Sequence, residues 1–145
     1  MRLSPDLELR NFILCEDIRQ EITNKIIMIG VYSGDILISN LPGSIPLCMY
    51  AELDVKAKGE YDVYLRMSGP GEGSFILQTH IGASNADNNG VIRTPRIDVT
   101  LECEGVLKID ASIDRKKWKA LSRKKVTQSD EVINLQPTIA AAPPS

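Results

Sequence analysis

Along most of the chain, apolar and β-branched residues come in short runs that alternate with polar positions, and Gly, Pro, Asn and Asp fill the gaps. In "YDVYLRMS", residues 61 to 68, Tyr61, Val63, Leu65 and Met67 fall on one side of an extended chain and Asp62, Tyr64, Arg66 and Ser68 on the other. Ile97, Val99, Leu101 and Cys103 alternate with Asp98, Thr100, Glu102 and Glu104. Leu107, Ile109, Ala111 and Ile113 alternate with Lys108, Asp110 and Ser112. This period of two predicts half-buried strands at 9–22, 25–39, 45–57, 61–68, 74–83, 96–104, 106–114 and 117–127. The segments "NLPGS", "KGE", "GPGEG", "SNADNNG" and "DRK" are read as turns, and no long repeat interrupts the rhythm. The expected fold is all-β: a single antiparallel β-sandwich of about eight strands, with a small β-barrel as the alternative.

The 145 residues suit one domain. We place the β-sandwich domain at 1–128 and a C-terminal tail at 129–145, flexible from about residue 136, where Pro137, Pro143 and Pro144 oppose regular packing. A net charge of -2 with 43% apolar and 25% charged residues excludes both a disordered acidic chain and a globally basic nucleic-acid binder. Pro5, Asp6 and Glu8 interrupt any secretory signal core, and no window reaches the ~20 apolar residues of a membrane helix, so a cytoplasmic protein without a membrane partner is expected. Cys15, Cys48 and Cys103 are dispersed and odd in number, which fits free thiols and neither a disulfide framework nor a zinc cluster. No cofactor or metal is expected.

The densest chemistry is in "ILCEDIRQE", residues 13 to 21. Leu14, Ile18, Ile22 and Ile26 would also suit a helix face, but the β-branched run "ITNKIIMIGVY" favours a hairpin turning at Thr23 and Asn24. In that register facing positions sum to 47, and Phe12, Leu14, Ile18, Ile22, Ile27, Ile29 and Val31 form the core face. Asp17, Arg19 and Glu21 then form a solvated face. Glu16 falls among the core positions as a buried polar site, which needs a bulge, a partner or a function to account for it.

The run Leu14, Cys15, Glu16, Asp17, Ile18, Arg19, followed by Lys25 and by Ile29, Gly30, Val31, Tyr32, resembles the N-terminal signature of a family of small, functionally uncharacterised bacterial and phage-associated proteins. The resemblance covers about the first 40 residues plus Pro46 and Leu47. It implies a compact β-sandwich and supplies no catalytic residue.

Charge is most asymmetric at "RKKWKALSRKK", residues 115 to 125, which holds seven of the 17 basic residues and leaves 10 basic against 19 acidic elsewhere. We read it as a strand paired with "VLKIDASI", with Trp118, Ala120, Ser122 and Lys124 on one face and Lys117, Lys119, Leu121, Arg123 and Lys125 on the other; a helix is the alternative. A lysine-rich edge that discourages aggregation is the plain explanation. The sharper one is a binding site for an anionic ligand or nucleic acid made of Arg115, Lys116, Lys117, Trp118, Lys119, Arg123, Lys124 and Lys125.

Elsewhere, "NADNNGVIRTPR" spaces Asn85, Asp87, Asn89, Gly90 and Ile92 like a calcium loop but has Arg96 where the bidentate glutamate belongs. His80, the single histidine, sits in a strand pattern, and no GxSxG, HExxH, Walker A or GxGxxG motif occurs. The expectation is a non-enzymatic binding or protein-interaction module without catalytic residues. A structural subunit of a larger bacterial or phage-derived assembly is the alternative. The expected partner is another protein, with self-association left open.

Overall fold

The computed structural model describes residues 1–71 and 73–129, and all regular structure among them is β. The C-terminal tail expected from residue 129 lies, but for Ser129, outside the described residues. The strands are β1 (Arg2–Ser4), β2 (Leu7–Gln20), β3 (Ile26–Val31), β4 (Ile36–Ile38), β5 (Gly43–Val55), β6 (Gly59–Ser68), β7 (Ser74–Ala83), β8 (Asn88–Arg93), β9 (Ile97–Leu101), β10 (Gly105–Ser112) and β11 (Lys119–Gln128). They form two curled sheets. One has the order β1-β2-β5-β8, with β3 also on β2 and β9 also on β5; the other has the order β4-β11-β10-β6-β7.

Among the described residues eleven strands replace the eight expected. β1 and β4 are too short to leave an alternation, and β8 occupies the segment read as a turn with calcium-loop spacing. Asn89 and Gly90 pair with Asp54 and Leu53 of β5, and Ile92 is buried, so these positions stand along an extended strand and cannot wrap an ion. No group of acidic, His or Cys residues suited to a metal occurs among the described residues.

The sheets bury Leu7, Leu9, Leu14, Leu47, Met49 and Leu53 against Val63, Leu65, Met67, Leu107, Ile109 and Val126. Burial changes parity within β2, from Leu7 and Leu9 to Leu14. A bulge causes this: Arg10 faces Glu52 but Ile13 faces Tyr50, so β2 spends three steps where β5 spends two. Asn11 takes the left-handed conformation there, at φ 52°, and donates its Nδ2–H to Glu52 Oε2 at 2.7 Å.

The β2–β3 hairpin exists, but one residue out of the expected register. Cys15 faces Val31, Asp17 faces Ile29 and Arg19 faces Ile27, so facing positions sum to 46. Asn24 at φ 63° follows a turn closed by its N–H to the Glu21 carbonyl, and Glu21 N–H bonds the Lys25 carbonyl, giving a three-residue loop. A turn followed by a left-handed residue preserves strand twist, and Asn tolerates that conformation. The slip overturns the expected core face: Ile22 is fully exposed at the loop, and Ile27, Ile29 and Val31 are exposed rather than buried.

Candidate functional site

The strand form of 119–128 holds, and β10–β11 is the expected hairpin. Its alternation is broken, however. Ile109 faces Ser122 while Asp110 faces Ala120, so Leu121 is an extra residue on β11. The bulge places Ala120, Arg123 and Lys125 on the outer face, away from the core, and turns Ser122, Lys124 and Val126 inward. The single charged face predicted for Lys117, Lys119, Leu121, Arg123 and Lys125 is therefore not formed.

The register defines the outer face row by row. Arg123, Lys108, Ser68 and Ser74 make one row across β11, β10, β6 and β7. Ala120, Asp110, Arg66 and Ile76 make the next, followed by Ser112, Tyr64 and Gln78. At the centre Asp110 is only 5% exposed. It accepts Nη2–H bonds from Arg66 at 3.3 Å and from Arg123 at 2.6 Å. Arg123 Nη1 also donates to the carbonyls of Ile109 and Ser122 at 3.2 and 2.8 Å. Two guanidiniums on one carboxylate fix the geometry and leave one net positive charge.

Trp118 lies against this centre, its ring centroid 4.2 Å from the Arg66 guanidinium carbon, and Arg115 lies over the Tyr64 ring at 5.6 Å. The Arg66 Nε is buried without a hydrogen-bond partner. The loop carrying Arg115 and Trp118 is shaped by Asp114. Its Oδ1 accepts the Lys116 and Lys117 backbone N–H groups at 2.8 and 3.0 Å and the Ser112 hydroxyl at 3.0 Å. Those bonds, led by the Lys117 and Lys116 amides, hold its carboxyl down to about 2.

Of the eight basic-segment residues, the fold gathers Arg115, Trp118, Arg123 and Lys125 on or over the outer face. Lys116 and Lys117 are exposed in the loop and Lys119 reaches the Arg2 carbonyl. Lys124 lines a different opening, beside Phe12, Leu14 and Tyr32 between the sheets. The sequence reading missed Tyr64, Arg66, Lys108 and Asp110 as members. The signal was present: the alternation of 61–68 and 106–113 had already put all four on polar faces, and strand pairing makes those faces one.

Glu16 is a correction. It is exposed, not buried, and its side chain lies over Gly30 of β3, so close that a Cβ on Gly30 would stand 2.7 Å from it. Gly30 is left-handed at φ 64°, which also favours glycine. Next to Glu16, Cys15 faces Cys48 across β2 and β5, both buried as free thiols, and burial pushes the Cys15 thiol up to about 11. Asp17 and Arg19 form an ion pair at 3.3 Å. His80 stands exposed on the polar face of β7, between Asp62 and Glu60. These carboxylates, Asp62 first, raise its pKa.

No protein-family model matches the chain, and no curated protein sequence matches it.

Proposed function

We propose that the protein is a non-enzymatic binding module that holds an anionic partner on the outer face of its five-stranded sheet. The observation that carries this reading is a carboxylate, Asp110, buried between the Arg66 and Arg123 guanidiniums with Trp118 against Arg66, on a face that also carries Tyr64, Lys108 and Lys125 in neighbouring rows. Edge protection accounts for cations on β11, whose Lys119–Lys125 stretch lies beyond its short pairing with β4. It does not account for Lys108 and Arg66, which stand on interior strands. Aromatic rings beside cations suit a partner with both charge and flat or apolar groups, such as an acidic protein segment or a single-stranded nucleic acid. The buried, unpaired thiols of Cys15 and Cys48 support a reducing, cytoplasmic setting, and the N-terminal resemblance supports a bacterial one.

The test is fluorescence anisotropy of labelled polyanions, a single-stranded oligonucleotide and a polyglutamate peptide, at low ionic strength. Binding that weakens at least tenfold in Lys108→Glu/Lys125→Glu supports the reading. Absence of binding to either probe removes it.

A further inference from the structure

The seam between the two sheets stays open beside β11. Its pairing with β4 covers Val126, Thr127 and Gln128 only, and next to the preceding stretch an opening of about 290 Å³ lies between the sheets. Phe12, Leu14, Tyr32 and Leu121 wall it, each part of the apolar core or packed against it. Small-molecule sites run from ~300 to 1,000 Å³, so this one suits a small ligand. Its charged group is Lys124. Two lysines of β11 face inward, Lys119 opposite Ala111 and Lys124 opposite Leu107, and the residues they oppose are 0 and 1% exposed. Lys119 reaches the Arg2 carbonyl. Lys124 is half-buried and has no hydrogen-bond or ion-pair partner among the described residues, and no carboxylate lines the opening. The Ser33 and Ser122 hydroxyls in the same opening are also without a partner among the described residues. Apolar walls remove part of the water that solvates an ammonium, and they strengthen its attraction to an anion that enters.

We propose that this opening binds a small apolar monocarboxylate, an aryl- or alkyl-substituted acid, with its carboxylate on Lys124 and its body against Phe12, Leu14, Tyr32 and Leu121. One carboxylate matches one amine, and the two serine hydroxyls are donors for its remaining lone pairs. A dianion such as a phosphate ester would bring a second charge for which the opening has no cation. A neutral apolar ligand would displace water from Lys124 and return nothing for it. The site shares no residue with the cation-and-aromatic face of β11, β10 and β6, so its ligand is separate from the partner held there.

NMR titration of the isotope-labelled full chain with 3-phenylpropionate, and with 3-phenylpropanol as its uncharged counterpart, tests this. The acid shifts the backbone amides of Phe12, Leu14, Tyr32 and Leu121 in a saturable way. The alcohol binds about tenfold more weakly or worse, because it cannot form the charge-assisted bond to Lys124. Lys124→Met keeps the length and apolar stem of the side chain and binds acid and alcohol alike. Lys124→Arg retains the preference for the acid, which separates loss of charge from damage to the fold. Equal binding of acid and alcohol by the wild type, or a Lys124→Met variant that still prefers the acid, overturns the proposal. So does the absence of any saturable shift at millimolar acid, and so do shifts confined to Tyr64 and Trp118, which would put the carboxylate on the outer face.

Discussion

Asp110 shows how one residue organises a surface. Its carboxylate is 6% exposed while its arginine partners Arg66 and Arg123 are 34 and 42% exposed, so losing it strands two like charges that water only partly screens. Asp110→Ala should lower stability in urea unfolding by about 2 to 3 kcal/mol, toward the low side of what a broken buried ion pair costs. Replacing exposed Lys125 should change stability little. His80 carries a pH signature. Asp62 and Glu60 favour its protonated form, so its folded pKa exceeds the ordinary value of 6.5. The stabilisation is full below the unfolded pKa and is lost as pH rises through the folded one. An NMR titration of the His80 ring should find a midpoint above 6.5, and Asp62→Asn should bring it back down.

At the scale of elements, two single-residue insertions decide which side chains meet. Asn11 in β2 shifts the buried parity from Leu9 to Leu14, and Leu121 in β11 puts Arg123 and Lys125 on the same face as Asp110. Deleting Asn11 forces one half of β2 to present its leucines outward. The loss of two buried leucines should exceed about 3 kcal/mol, while Asn11→Gly, which keeps the left-handed turn, should cost less than about 1 kcal/mol. Thermal unfolding of the two variants separates these outcomes. The same bulges explain what the sequence could show. Alternation without interruption, as in Tyr61–Ser68, gives both strand and face directly, and 74–83 is read to the residue. Alternation cannot show a bulge, because an extra residue looks like a change of pattern. It also cannot separate a two-residue from a three-residue hairpin loop, so β3 stands one residue out of the expected register and Ile27, Ile29 and Val31 are exposed. The calcium-like spacing at 85–96 misled for a related reason: Asn and Gly suit the turn at Asp87 as well as the start of β8.

For the whole molecule, the two curled sheets enclose one apolar core and present two unlike surfaces. One is the cation-and-aromatic face of β11, β10 and β6, and the other is the apolar edge of β3. The basic segment marked the first surface in part, but half of that surface comes from strands remote in sequence, which only pairing brings together. Trp118 is the single tryptophan of the chain and lies on this face, so its emission reports occupancy there directly. Titration with a single-stranded oligonucleotide at low ionic strength should change Trp118 fluorescence in a saturable way. The logarithm of the affinity should fall with the logarithm of salt at a slope of about 2 to 3, as three or four cations release counter-ions, and the change should vanish in Lys108→Glu/Lys125→Glu. Polyanion binding that leaves Trp118 emission unaltered, or that persists in the doubly substituted protein, would contradict an anion-binding outer face.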